Sequence, residues 1–213
     1  MRTLKLVAVS AGLGSPSSTR LLADRLLQAA RHRLAEQEHA VDVEVVELRD
    51  LAVDIANNLV TGFPSGRLRE ALDAVTGADG VIAVTPVFAA SYSGLFKSFF
   101  DLVDPAALTG VPVLIGATGG TARHSLVLDH ALRPLFAHLR APTVPTAVYA
   151  ASEDWGSGGG EASSTGFGGE GLPARINRAG HELADAVAAR PAREADEDEV
   201  VPFARQLAGL RLD

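Results

Sequence analysis

The feature that most constrains this chain is an alternation of short aliphatic runs with longer stretches whose apolar residues recur every three or four positions. Runs of the first kind match strands buried on both faces, and stretches of the second match amphipathic helices. Leu4 to Ser10 opens the pattern, and Leu22, Leu26, Ala30 and Leu34 mark a helix stripe within Thr19 to Gln37. Ser17 or Ser18 is placed to cap that helix, because a serine oxygen accepts from an unpaired N–H of the first turn. Val43 to Leu48 is a second strand whose alternation suits a sheet edge, Ser65 to Thr76 a helix that Gly77 ends, and Gly80 to Val84 a third strand. Thr85 to Ser93 reads as a polar loop before a helix bearing Leu95, Phe96, Phe99 and Val103. Val111 to Ala117 is the fourth strand, Thr118 to Arg123 its loop, and His124 to Leu139 a helix striped by Leu128, Leu132, Leu135 and Leu139. Thr143 to Ala150 is the fifth strand, where Pro145 points to an edge or a strand start, and Pro173 to Ala189 is the last helix. Five strands each followed by a helix predict an α/β fold, a doubly wound parallel sheet.

Length and composition narrow the class. The 213 residues, 47% hydrophobic and 21% charged, suit one globular domain, which we place at 1–190, with 191–213 as a tail that is first acidic and then apolar. A net charge of −7 without a Lys/Arg run leaves no footprint for nucleic acid. Cysteine is absent, which excludes disulfides, thiolate–metal sites and a cysteine nucleophile. No apolar run reaches the roughly 18–20 residues of a membrane span, and the chain is expected in the cytoplasm. Ala151 to Gly171, rich in Gly, Ser and Glu, exceeds the ~12–15 residues usual for a structureless loop. It is either a tolerated insertion or a mobile flap anchored by Trp155 or Phe167.

In an open parallel sheet, ligands sit outside the carboxyl ends of the strands. Three loops there carry hydroxyls and glycines but few charges. The first, Ser10 to Arg20, leads into a helix N-terminus, where unpaired N–H groups and the helix dipole favour an anion. It lacks a Walker Gly-Lys-Ser/Thr, and Ser17 stands where a dinucleotide fingerprint needs its third glycine. A terminal monophosphate held by Ser10, Ser17, Ser18 and Thr19 fits, as does an elaborate cap without a ligand. The second loop offers Thr85, Pro86, Val87, Phe88, Ser91, Tyr92 and Ser93, a fixed backbone with flat apolar rings; these suit a heteroaromatic ligand, or they fill the core. In the third, Thr118, Gly119 and Gly120 permit close backbone approach, and His124 is either a donor to a ligand or a structural partner. The histidines show no metal-ligand spacing such as His-Glu-x-x-His, and no Gly-x-Ser-x-Gly elbow supports a serine nucleophile.

At these loops the chain resembles the NADPH-dependent FMN reductases. Ser10 with Ser17-Ser18-Thr19 is similar to that family's phosphate turn. Thr85-Pro86-Val87-Phe88 with Ser91-Tyr92-Ser93-Gly94 and Lys97 is similar to its flavin-bordering motif, with Phe88 in place of the usual Tyr. Thr118-Gly119-Gly120, His124 and Leu132-Arg133-Pro134-Leu135 are similar to its third loop and helix. Gly12 and Gly14 stand where the family often has Ser and Arg, which leaves Arg20 as the cation to compensate. The resemblance covers Leu4 to about Tyr149. It implies a flavodoxin-like sheet of order 2-1-3-4-5 with helices on both faces, FMN as cofactor, and NADPH or NADH as co-substrate. The implied reaction passes a hydride from the nicotinamide to flavin N5, with no side-chain acid or base required. It also implies a homodimer or homotetramer, and reduced FMN handed to a luciferase-like monooxygenase. A quinone or azo reductase with fixed FMN is the alternative within enzymes, and a flavodoxin-like carrier or regulatory flavin module the alternative outside them.

Overall fold

The computed structural model describes residues 2–155 and 171–191. Strands β1 (Leu4–Ser10), β2 (Val41–Glu47), β3 (Gly80–Phe88), the two-residue β4 (Ser91–Tyr92), β5 (Val113–Gly119) and β6 (Val148–Ala151) form one sheet. Its order is β2-β1-β3-β5-β6, all parallel, with β4 antiparallel to β3. Leaving β4 aside, this is the expected flavodoxin-like order, with β2 at an edge as its alternation suggested.

Strand residues alternate between two cores, as a period of two requires. Leu6, Ala8, Ile82, Val84 and Leu114 face α1 (Ser18–Glu36), and α6 (Leu172–Ala188) shares that layer. The opposite face holds Val7, Val9, Ala83 and Ile115 under α2 (Ala52–Thr61), α3 (Gly66–Thr76), α4 (Gly94–Phe100) and α5 (Arg133–His138). Phe96, Phe100 and Phe136 interlock there, with Phe100 at 4.7 Å from Phe96 and 5.1 Å from Phe136 between ring centroids. The phenylalanines of α4 therefore belong to the core.

Four expectations are corrected. The polar loop Thr85–Ser93 is a continuation of β3 to Phe88 and a tight hairpin into β4. Its turn residues Ala89 and Ala90 have φ of 47° and 65°, the left-handed backbone that mirror-image hairpin turns demand. Helix α2 was not foreseen, because its inward face is only Ile55 and Asn58 while Val53, Leu59 and Val60 point outward. The single helix His124–Leu139 is three pieces: a 3₁₀ turn at Ala122–His124, a π-helical turn at Leu128–Leu132, and α5. Pro134 has no N–H for the carbonyl of His130, so the α ladder is interrupted there. The fifth strand starts at Val148, since upstream only Thr143 bridges to Val113. Pro145 lies in that irregular approach. Of the 151–171 segment, Ala151 ends β6 and Ser152–Trp155 is a 3₁₀ turn; residues 156–170, and the tail from 192, lie outside the described residues.

Helices α1 and α6 cross tightly at Gly180. A Cβ there would fall 2.6 Å from the Cβ of Ala29 and 2.9 Å from the nitrogen of Ala30. Gly180→Ala would gain up to about 1 kcal/mol of helix propensity, but overpacking of this kind costs about 1–3 kcal/mol. We expect net destabilisation in urea unfolding. Gly66→Ala at the start of α3, where nothing lies within 4 Å, should be neutral or stabilising.

Candidate functional site

Helix α1 begins directly after the β1 turn because Ser17 caps it, its hydroxyl accepting from the Arg20 N–H at 3.2 Å. No acidic residue occupies the first turn. The terminus therefore keeps unpaired N–H groups and the positive end of its dipole for an anion. Ser10 continues the Leu6–Ala8 side of β1, the side that α1 covers. It is 1% exposed, and its hydroxyl has no partner. A buried hydroxyl is seldom left unpaired, so one at the foot of a helix N-terminus points to a ligand. Thr118 continues the Leu114 side of β5, and its hydroxyl bonds that of Thr19 at 2.8 Å in full burial.

Beside this terminus lies a cleft of about 850 Å³, within the range of small-molecule and cofactor sites. It brings together nine of the expected residues: Ser17, Ser18 and Thr19 at one end, Pro86, Val87 and Phe88 on one wall, and Thr118, Gly119 and Gly120 below. Phe88, 47% exposed, offers its ring at the rim. Ser10, the last residue of β1, is buried and is not part of the lining.

The other five expected residues do not reach the cleft. Thr85 falls on the opposite face of β3, where its buried hydroxyl donates to the Pro86 carbonyl and accepts the Ser93 N–H at 3.0 Å. Ser93 caps α4 by accepting from the Phe96 N–H. Both hold the turn. Ser91 and Tyr92 line a separate groove with Lys97 and His130. His124 is exposed on the 3₁₀ turn outside the cleft lining. Leu13, Gly14, Pro16, Leu21, Ser152 and Trp155 complete the lining and were not among the expected binding residues. Ser152 and Trp155 follow β6 at its carboxyl end, where the sequence places Trp155 as the anchor of a flap rather than as a binding residue.

Among the described residues, none that lines the cleft is charged. Arg25 stacks over the Trp155 ring at 5.1 Å, and the two arginines beside the β1 turn are committed elsewhere. Arg20 pairs with Asp24 and Glu47, and these bonds, Asp24's first, raise its pKa further. Arg49 reaches Glu47 at 3.4 Å and donates to the Gly14 carbonyl at 2.9 Å. Arg20 therefore does not compensate for Gly12 and Gly14.

Fold and cleft together define a flavodoxin-like protein whose carboxyl-end site suits a flat ring bearing a phosphate. Residues 4–156 match the NADPH-dependent FMN reductase family, and the chain belongs to it. It is 42% identical over 151 residues to an FMN reductase (NADPH) of Pseudomonas aeruginosa, covering 71% of this chain and 78% of that protein. It is 41% identical over 150 residues to the NADH-dependent FMN reductase SfnF of Pseudomonas putida, covering 70% and 78% respectively. Among solved structures, an oxidoreductase from Corynebacterium diphtheriae is 43% identical with a TM-score of 0.81, covering 90% of this chain and all of that one.

The two buried hydroxyls at the phosphate end should respond differently to removal. Ser10→Ala deletes an unpaired group, so the ligand-free protein should unfold within about 0.5 kcal/mol of wild type or be more stable. Thr118→Val strands the Thr19 hydroxyl and should cost about 1–3 kcal/mol. Urea unfolding without ligand measures both.

Proposed function

We propose that this chain is an NAD(P)H-dependent FMN reductase that takes FMN as an exchangeable substrate. The observation that carries the reading is the cleft itself: an open helix N-terminus at one end, an apolar ring surface at the other, and no charged residue among the described residues that line it. Those residues fit FMN. Ser10, Ser17, Ser18 and Thr19 receive the phosphate, while Pro86, Val87, Phe88 and the Gly119–Gly120 backbone border the ring. Bound FMN would supply the redox chemistry, accepting a hydride equivalent from the nicotinamide. The protein's part is to bind and orient two flat molecules and to keep water from between them. An uncharged phosphate site favours release of the reduced product over permanent retention.

Several finer points belong to the same proposal. Relatives named for NADPH and for NADH leave both co-substrates compatible with the site. The reductase domain spans 1–190, with 191–213 a tail outside it. Reduced FMN passes to a luciferase-like monooxygenase, and the chain works in the cytoplasm as a homodimer or homotetramer. Among the described residues no helix is long and apolar enough to cross a membrane.

The deciding assay is oxidation of NADPH and of NADH with and without added FMN. We expect a rate that rises and saturates with added FMN. A rate indifferent to added FMN, with flavin co-purifying stoichiometrically, would mean a fixed prosthetic group, and no oxidation under any condition would overturn the reading. Ser10→Ala combined with Ser17→Ala should weaken FMN binding by about 1–3 kcal/mol, since hydrogen bonds to charged groups are the stronger ones. Riboflavin, which has no phosphate, should bind as before. Equal loss for both ligands would make the turn structural.

A further inference from the structure

We propose that Tyr149 is a positioning residue for the ring end of the cleft, and that an Arg175–Asp154 clamp on its backbone makes the Thr118–Thr121 loop and the Trp155 turn a single unit. The proposal rests on the functional reading above. Tyr149 sits in β6 opposite Ala117 of β5. Its hydroxyl donates to the carbonyl of Thr121 at 2.8 Å, just past the two glycines that line the cleft. It also occupies the space a side chain on Gly119 would need, because a Cβ there would lie 2.1 Å from the Tyr149 oxygen. The expectation that both glycines clear room for a ligand is thus corrected. Gly119 makes way for Tyr149, and only at Gly120, with nothing within 4 Å of a Cβ, is the space open.

The segment is consequently pinned at both ends, with Thr118 and Gly119 still in the β5–β6 ladder and Gly120 just beyond it. Thr118 is tied to Thr19 on the α1 side, and Thr121 to Tyr149 on the other. Burial, reinforced by Asp154, pushes the Tyr149 phenol above its usual range, so it remains a donor at alkaline pH. Behind the ring, Arg175 of α6 donates to the Tyr149 carbonyl at 2.7 Å and to Asp154 at 3.3 Å. The other Asp154 oxygen accepts the Ala151 N–H at 2.8 Å. Asp154 belongs to the Ser152–Trp155 turn, which places Ser152 and Trp155 in the cleft wall. A shift of the loop must therefore be transmitted through β6 to Trp155.

Trp155 is the chain's only tryptophan, so its fluorescence reports on the cleft directly. The experiment titrates FMN and riboflavin into wild type, Tyr149→Phe and Asp154→Asn, following tryptophan quenching and flavin fluorescence. Loss of the Tyr149 hydroxyl should raise both dissociation constants by the same factor, about three- to tenfold for one hydrogen bond. The KM for FMN should rise by a similar factor with kcat little changed. Asp154→Asn should reduce the amplitude of Trp155 quenching at saturating flavin, and it carries the test alone if Tyr149→Phe does not fold. Wild-type affinity in Tyr149→Phe, loss for FMN only, or unchanged quenching in Asp154→Asn would overturn the proposal. If wild type itself binds neither flavin, the functional reading fails first, and this one with it.

Discussion

The hydrogen bond between the hydroxyls of Thr19 and Thr118, 99 residues apart, is the constraint on which the site depends. It joins the first turn of α1 to the carboxyl end of β5 and so sets the distance between the two ends of the cleft. Such a bond adds only about 1 kcal/mol net to stability, yet leaving either partner unpaired in the interior costs more. The packing around it leaves little choice. Leu22 and Leu26 of α1 are wholly buried against the same sheet face as Leu114 of β5, and a Cβ at Gly116 would already touch both leucines, each at 3.4 Å. The helix terminus is located by the core below it and locked by the threonine pair.

The absence of charge in the cleft lining follows from where the acidic groups lie. Glu47, at the end of β2, draws in Arg20 and Arg49 together, and Asp24 takes a second bond from Arg20. These partly exposed pairs contribute little to stability on their own. Their larger effect is to withdraw two cations from the phosphate end, leaving attraction there to dipoles and N–H groups. Attraction of that kind falls off within the first turn of the helix and is screened by salt.

Much of the architecture was legible in the sequence, and the exceptions have physical causes. The continuous runs Leu4–Ser10 and Gly80–Val84 could only be buried strands, and the leucine spacing around Leu22 could only be a helix on that sheet. Helix α2 was illegible because its pattern is inverted, with Val60 88% and Val53 73% exposed. Among the candidate residues, Thr85 and Thr118 look alike in sequence, but they fall on opposite faces of the sheet. Only the true length of β3 separates them, since a strand running to Phe88 puts Thr85 in register with Ala83, away from α1. The purpose of Gly119 was hidden for a different reason: its partner, Tyr149, arrives thirty residues later on the next strand.

The irregular approach to β6 has a consequence for how copies of this protein meet. Residues 143–147 run beside β5 at the open border of the sheet, where a bare backbone invites another strand to add on. Here side chains take those backbone groups instead. Arg133 donates to the carbonyls of Val144 and Pro145 at 3.2 and 2.6 Å, and Glu182 accepts the N–H and hydroxyl of Thr146, each at 2.7 Å. One arginine and one glutamate thus stand in for a missing strand, and the border is closed to the edge-to-edge growth through which sheets aggregate.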